Sequence, residues 1–291
     1  MARGALSESA GAPRPALYVP VMSIVLEPAS AFDDERLAAL FTAVYAGYWH
    51  PIEIDGAALR RMVATHDIDL DASVVGLDGN EGIAAGMLAV RRDRGWLGGM
   101  GVVPERRGAG VGTAVTQRLL ERARDHGLDR VRLEVLQQNA AAIAVYRKLG
   151  FLDRPDVVVW QLADAPDGDR AEDVDLDEAL QELATAGGEA PWQRNAATLS
   201  RMRESGAELR GVRAEHGVAV FSTTSAHAAL HELVASTVES ARALLRAPFE
   251  RGAASLLFLN GPSAGIAADA LRTARATELA VQHELEWRPG T

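Results

Sequence analysis

Apolar positions along this chain follow a period of two in some segments and of three to four in others, as strands and helices require. The pattern predicts these elements in order: a strand at 23–27, a helical region at 32–66, strands at 72–77, 83–91 and 96–103, a helix at 111–126, a strand at 131–136, a helix after 139 and a strand at 157–162. Strands that alternate with helices indicate an α/β fold.

The predicted strand before Pro104 and the loop after it are rich in glycine. Gly98, Gly99 and Gly101 interrupt strand-forming residues, which indicates a bulge or a ligand that lies against the backbone. The loop 107–112 (Arg-Gly-Ala-Gly-Val-Gly) then opens the next helix. Amides at a glycine-rich helix N-terminus can converge on an anion, and the helix dipole favours negative charge there. This predicts a phosphate-binding loop, with a loop that merely turns the chain as the alternative.

The loop lacks the motifs of two common phosphate sites. A dinucleotide fingerprint, G-x-G-x-x-G, would need glycine where Thr113 stands. A P-loop would need a lysine after its last glycine, whereas the chain's only lysine is Lys148. Arg106 and Arg107 would instead add mobile positive charge to the site.

A carboxylate, an amide and a phenol follow at a fixed spacing. Glu134 lies in the strand at 131–136, Asn139 is placed to cap the next helix, and Tyr146 stands seven residues later. Seven residues at 100° each return to nearly the same helix face, about 10 Å further along the axis. Other interpretations stay open: Glu134 could pair with Arg132 or solvent, Tyr146 could be a core aromatic, and Asn139 could be only a cap.

These motifs together resemble a known family. The pattern Arg107-x-x-Gly110-x-Gly112 is similar to the coenzyme A pyrophosphate loop of the GCN5-related N-acetyltransferase (GNAT) superfamily. The spacing E-x4-N-x6-Y, followed by K-L-G-F, resembles the ribosomal-protein N-terminal acetyltransferases. The resemblance covers residues 20–163 and implies an α/β (α+β) fold with a GNAT-like mixed central sheet flanked by helices.

The resemblance implies a role for each motif. The pantetheine arm of acetyl-CoA would be bound, and its thioester carbonyl polarised, by backbone amides near Met100, Gly101, Val102 and Val103. The pyrophosphate would be held by the loop residues Arg107, Gly108, Ala109, Gly110, Val111, Gly112 and Thr113. Asn139 would contact the cofactor, as would Tyr146, which would also protonate the departing thiolate. Glu134 would be the base, acting directly or through water.

An acceptor pocket is implied where the family's first helices lie. The residues concerned are Tyr45, Tyr48, Trp49, His50 and Glu53. Because only 5% of the residues are aromatic, three in one place favour a pocket wall, with a hydrophobic contact between helices as the alternative. Further along, Trp192, Gln193 and Arg194 could line the same cleft or anchor the second half.

Length and composition limit the architecture and the partners. A chain of 291 residues exceeds one ordinary domain, so that two are expected. The absence of cysteine excludes disulfides, thiolate metal sites and a cysteine nucleophile, and it favours a reducing cytoplasm. A net charge of -10 without a dense basic run argues against nucleic acid, and no apolar run is long enough for a membrane span. A homodimer stays open.

The pattern divides the chain into tandem domains. We expect a disordered leader at 1–20, a GNAT domain at 21–163 and an acidic linker at 164–178. Residues 179–291 parallel the strands and helices of the first half, which predicts a degenerate GNAT-like domain without the R-x-x-G-x-G loop. An unrelated α/β domain is the alternative.

The hypothesis for function is a bacterial acetyl-CoA-dependent N-acetyltransferase that moves an acetyl group directly to a primary amine. The excess of arginine over lysine is typical of a GC-rich bacterial genome. The acceptor, a small molecule or a protein N-terminus, is not identified by the sequence. A non-catalytic acyl-CoA sensor or scaffold is the alternative function. No metal site is predicted, because His227 and His231 lack an acidic third ligand nearby.

Overall fold

The computed structural model describes residues 24–48, 52–186, 189–224 and 226–290, and its elements recur in the same order in two halves. The first half contains β1 (Val25–Pro28), α1 (Asp34–Val44), α2 (Gly56–His66), β2 (Ile68–Asp78), β3 (Glu81–Arg91), β4 (Arg94–Val102), α3 (Val111–Asp125), β5 (Arg130–Leu136), α4 (Ala140–Lys148), β6 (Leu152–Asp153) and β7 (Val157–Leu162). The second half contains β8 (Glu172–Val174), α5 (Leu176–Ala186), α6 (Ala196–Glu204), β9 (Leu209–Ala214), β10 (Gly217–Thr224), β11 (His227–Ala235), α7 (Val238–Glu250), β12 (Ser255–Pro262), α8 (Ile266–Thr273) and β13 (Thr277–Trp287). Apart from the short β6, the second order repeats the first.

One continuous sheet runs through both halves. Its thirteen strands in the described part of the chain follow the order β1-β2-β3-β4-β5-β13-β7-β12-β11-β10-β9-β8, with β6 beside β13. Two strands are exchanged: β13, the last of the chain, pairs with β5, and β7 pairs with β12. Each half of the sheet is therefore completed by a strand from the other half of the chain.

Two segments differ from the expected organisation. Strand β7 forms at Val157–Leu162, as the sequence predicts, but it lies between β13 and β12 and so joins the two halves of the sheet. The segment 164–178, expected as a linker, contains β8 and the start of α5, and β8 pairs with β9. The expected leader at 1–20 lies outside the described residues.

Local signals place the helices around the sheet. Asp33, Asp55 and Asn139 cap α1, α2 and α4, because each side chain accepts a hydrogen bond from an amide three residues later. The apolar stripe of α3 is buried together with residues of α4 on one face of the first half's sheet, and α1 and α2 cover the other face. None of the described helices is long and apolar enough to cross a membrane.

Candidate active site

Strands β4 and β5 are paired only at their beginnings. Their parallel pairing joins Arg94–Trp96 to Arg130–Arg132, whereas β4 continues to Val102 and β5 to Leu136. Beyond the pairing the two strands diverge. A cavity of about 570 Å³ lies at the open end of this wedge, between β4, the glycine loop, α4 and the end of α1.

Most of the predicted cofactor site lies at this cavity. The predicted residues that line it are Tyr45, Tyr48, Met100, Gly101, Val102, Arg107, Gly108, Gly110, Gly112, Thr113 and Asn139. Those that are not at its wall are Glu53, Val103, Ala109, Val111, Glu134 and Tyr146. Trp49 and His50 lie outside the described residues. Leu136, Gln138 and Ala142 also line the cavity; no motif singled them out, and only their position beside Asn139 could have indicated them.

The loop before α3 has the geometry of an anion cradle. Gly108 and Gly110 have φ angles of +78° and +84°, in the left-handed region that glycine adopts without strain. A Cβ built on either residue meets no atom within 4 Å, so that the backbone faces open space. Gly110 begins α3, and no described side chain caps that helix. The amides of the first turn are therefore available to an anion at the positive end of the helix dipole.

Arg107 is fixed to the backbone, in contrast to the mobile charge that the sequence suggested. Its Nε donates to the Val102 carbonyl at 2.9 Å, and its Nη2 donates to the carbonyls of Val44 and Ala46 at 3.1 and 2.9 Å. The Val44 and Ala46 carbonyls lie at the C-terminal end of α1, where the helix dipole is negative. Arg107 therefore holds α1, β4 and the loop together, and Arg106, which pairs with Asp78 at 2.7 Å, also reaches the cavity wall.

Two tyrosines line the inner side of the cavity, and a third is buried near them. Tyr45 and Tyr48 line it and pack edge to face at 5.2 Å. Tyr146 packs on Phe151, with ring centroids 5.5 Å apart, in the core beneath α4. Burial raises the pKa of Tyr146, and the nearby Tyr45 and Tyr48 raise it further. Tyr146 is thus a buried aromatic whose neighbours form the cavity wall.

Asn139 caps a helix and also lies at the cavity. Its Oδ1 accepts a hydrogen bond from the Ala142 amide at 3.2 Å, which caps α4. The same residue lines the cavity opposite the glycine loop. The cap fixes the side chain while its amide group stays close to the space where a ligand would lie.

Glu134 is a half-buried residue whose carboxyl group lies deeper in the wedge. Its Oε2 accepts hydrogen bonds from Trp96 Nε1 at 2.9 Å and Gln193 Nε2 at 2.8 Å, whereas its buried Oε1 has no partner in the described part of the chain. Burial raises the pKa of Glu134 to about 7, and the two hydrogen bonds lower it by less. Glu284, opposite on β13, raises the pKa further. Arg132 does not pair with it: its guanidinium binds Glu286 and Glu189.

Strands β11 and β12 of the second half form a similar wedge, which an arginine side chain of the protein closes. Strands β11 and β12 pair over four residues, from His227 with Ser255 to Leu230 with Phe258. The gap beyond is bridged by Arg194, which donates to Glu232 Oε1 on β11 at 2.5 Å and to the Asn260 carbonyl on β12 at 2.7 Å. Residues 236 and 237 alone separate β11 from α7, so that no glycine loop precedes that helix.

The two histidines considered for a metal have other partners. His227 Nδ1 and His231 Nε2 each hydrogen-bond a serine hydroxyl at 2.8 Å, from Ser255 and Ser222. In the part of the chain that the structure describes, no three His, Cys, Asp or Glu side chains are grouped to hold a metal ion.

Comparison with known families agrees with the geometry of the first half. The model of the acetyltransferase (GNAT) family matches residues 37–151, which contain the wedge, the glycine loop, Glu134 and Tyr146. This chain contains a GNAT-family domain. Acyl transfer is accordingly the chemistry that the family supports for this domain.

Curated relatives are similar to this chain over short segments. The uncharacterized N-acetyltransferase YobR of Bacillus subtilis (strain 168) is 40% identical over 68 residues, which are 23% of this chain and 28% of the relative. A mycothiol acetyltransferase of Saccharomonospora viridis is 52% identical over 52 residues, 18% of this chain and 17% of the relative. The chain thus matches less than a third of the length of either relative.

Solved structures are similar over nearly the whole chain. The GCN5-related N-acetyltransferase from Sphaerobacter thermophilus has a TM-score of 0.68 at 15% identity, over 92% of this chain and 97% of that chain. The tandem GNAT protein from the clavulanic acid biosynthesis pathway has a TM-score of 0.63 at 15% identity, over 92% and 99%. At these identities the likeness concerns the fold alone. It confirms the predicted fold class, a mixed sheet flanked by helices in a tandem GNAT arrangement.

Proposed function

We propose that this chain is an acetyl-CoA-dependent N-acetyltransferase that moves an acetyl group directly to a primary amine. The observation that carries the proposal is the arrangement of the wedge. Uncapped amides at the start of α3 face the same cavity as Tyr45 and Asn139, and Glu134 lies two residues before Leu136 of the cavity wall.

The residues at the cavity fit a coenzyme A molecule. Gly108 and Gly110 leave open space against their backbone, where a pyrophosphate can approach the first turn of α3. The edge of β4 from Met100 to Val102 is turned towards the wedge, where backbone N–H groups can donate to a carbonyl of a bound chain. Acetyl-CoA would supply the thioester whose carbonyl carbon the amine attacks. Asn139 would hold the cofactor from the opposite wall.

Glu134 and Tyr146 would move the two protons of the reaction. The C–N bond forms as the C–S bond breaks, so that the amine loses a proton and the thiolate gains one. With a pKa of about 7, Glu134 is partly ionised at neutral pH and can accept the amine's proton, through a water because its carboxyl group is buried. Tyr146, whose pKa is raised by burial, stays protonated and can donate to the sulfur.

The acceptor would be an amine of unassigned structure. Some similar proteins are named mycothiol acetyltransferases, so amines related to mycothiol are one member of a test panel beside polyamines, amino sugars and peptide N-termini. The assay measures release of free thiol from acetyl-CoA with each amine, and mass spectrometry of the product confirms the transfer. Cofactor binding without thiol release for any amine would favour the alternative, a non-catalytic acyl-CoA sensor.

We also propose that the second half has lost the cofactor site and that one cofactor binds per chain. The closure of its wedge by Arg194 and the two-residue connection before α7 support this. Calorimetric titration with acetyl-CoA should give a stoichiometry near one, and two equivalent sites would contradict it.

A further inference from the structure

Residues 189–195, which precede α6, are held against both halves of the sheet. Glu189 binds Arg130 and Arg132 of β5 and also Arg154, at 3.0 Å. Arg194, at the other end of the segment, is 8% exposed and bridges β11 and β12. Ion pairs at both ends therefore restrict the residues between them to one position against the first half's sheet.

Trp192 places this segment directly on the wedge of the GNAT domain. Its ring lies nearly parallel to that of Trp96, with centroids 6.3 Å apart and 9° between the planes. Its Nε1 donates to the His66 carbonyl at 2.9 Å. Both tryptophans are buried in the core that α1 and α2 cover. The next residue, Gln193, is thereby directed at Glu134.

The hydrogen bonds of Glu134 are distributed unevenly between its two oxygens. Gln193 and Trp96 both donate to Oε2, at 2.8 and 2.9 Å. Oε1 of Glu134 and Oε1 of Gln193 are buried and have no partner among the described residues. Because both donors bind Oε2 of Glu134, its Oε1 is left to accept a proton or a hydrogen bond from a water molecule.

We propose that Gln193 is a positioning residue for Glu134, so that the active site of the GNAT domain is completed by a segment outside the matched residues 37–151. The proposal rests on the proposed function. Gln193 orients the carboxyl group, stabilises its ionised form and keeps Oε1 free for proton transfer. In this view the second half contributes to catalysis without binding the cofactor.

Other charged groups near Glu134 do not replace this contribution. Glu284 faces it from β13 and opposes its ionisation, but Arg154 holds Glu284 at 3.0 Å. Arg132, on the same face of β5, favours ionisation and is itself occupied by Glu189 and Glu286. His66, which packs on Trp96, is neutral near pH 7, because burial lowers its pKa to about 4. Gln193 and Trp96 are the neutral donors on the carboxylate.

The test removes the donor while it keeps the size of the side chain. In Gln193→Met the ionised form of Glu134 loses one hydrogen bond, so its pKa rises and the acidic limb of the kcat profile moves to higher pH by about one unit. The Kd for acetyl-CoA should stay unchanged, because Gln193 does not line the cavity. Gln193→Asn, which withdraws the amide by one methylene, should shift the limb in the same direction. The matched control is Gln181→Met, at an exposed position of α5.

A second readout does not depend on activity. The carboxyl carbon of Glu134, assigned by its absence in Glu134→Gln, is titrated by 13C NMR in wild type and in both Gln193 variants. A raised midpoint in the variants supports the proposal. An unshifted midpoint, or an equal loss of kcat at every pH, overturns it and leaves Gln193 a structural residue. If the wild type transfers no acetyl group, the proposed function fails, while the NMR titration still decides the role of Gln193.

Discussion

Burial, more than hydrogen bonding, sets the charge of Glu134. Trp96 and Gln193 favour the ionised carboxylate, yet the pKa is raised to about 7, because the loss of water outweighs both donors. A carboxyl group with a raised pKa makes the folded protein bind more protons than the unfolded chain between about pH 4.5 and 7. The contribution of Glu134 to the free energy of unfolding is therefore fully present below about pH 4.5 and is lost as the pH rises to about 7.

Glu134→Gln should remove this pH dependence. We expect the free energy of unfolding of Glu134→Gln, relative to wild type, to be larger at pH 8 than at pH 5 by about 2–3 kcal/mol. Urea unfolding at both pH values measures the difference. His66 and His231, whose pKa values burial lowers to about 4, contribute in the opposite direction but equally in both proteins. The exposed Glu53→Gln is the control, and a difference that does not change with pH would contradict the prediction.

Tyr146→Phe separates proton donation from packing. The variant keeps the ring contact with Phe151 and removes only the hydroxyl, so that the Kd for acetyl-CoA should hold while kcat falls by roughly 100-fold or more. Steady-state kinetics with the acceptor found in the amine panel, together with calorimetry, measures both. Tyr45→Phe is the matched control, because Tyr45 lines the cavity near Tyr146. A larger loss of kcat in Tyr45→Phe than in Tyr146→Phe would assign the donor to Tyr45.

At the scale of elements, α3 and its loop form one unit. Gly110 starts the helix and Gly127 follows its end, both with a positive φ and with no atom near a built Cβ. Alanine at either position meets similar backbone strain, but only at Gly110 would its methyl group occupy the cradle. We expect Gly110→Ala to raise the Kd for acetyl-CoA by 10-fold or more, about 1.4 kcal/mol, and Gly127→Ala to leave it unchanged. Equal effects in calorimetry would mean that the phosphates bind elsewhere.

Elements that depend on local signals were predictable from the sequence. Asn139 caps the amide three residues later, so that this cap follows from the local sequence. Strand β5 follows from the alternation of its apolar residues, and α3 follows from its apolar stripe. The contacts of Arg107 were not predictable, because its carbonyl partners Val44 and Ala46 are 63 and 61 residues away. Gln193 donates a hydrogen bond to Glu134 although 59 residues separate them in the sequence, and no local sequence pattern indicates such a contact. The motifs therefore predicted the glycine loop, whereas the side chains that donate to Glu134 were found only in the structure.

At the scale of the whole molecule, the exchange of β7 and β13 between the two halves of the sheet could not be predicted from the sequence repeat. A repeat predicts that each half closes its own sheet, and the apolar run of β7 is the same whichever strand it pairs with. The order of the strands is instead decided by contacts such as Arg132 with Glu286, 154 residues apart. Strand β13 also contributes Leu285 and Trp287 to the core beneath α3 and α4, so that the core of the GNAT domain includes residues of β13.

Removal of β13 should therefore abolish cofactor binding, although no residue of the family match is lost. Truncation after residue 275 leaves β5 without the strand that pairs with it from Val131 to Leu136. It also takes Leu285 and Trp287, 0% and 2% exposed, out of the first core. Each such loss costs about 2–5 kcal/mol, and together they approach the stability of an ordinary domain. Circular dichroism and calorimetry with acetyl-CoA should show a poorly folded chain without binding. Leu279→Ala, at an exposed position of the same strand, is the control that should bind normally. A truncated chain that binds acetyl-CoA with unchanged affinity would show that the first half closes its sheet alone.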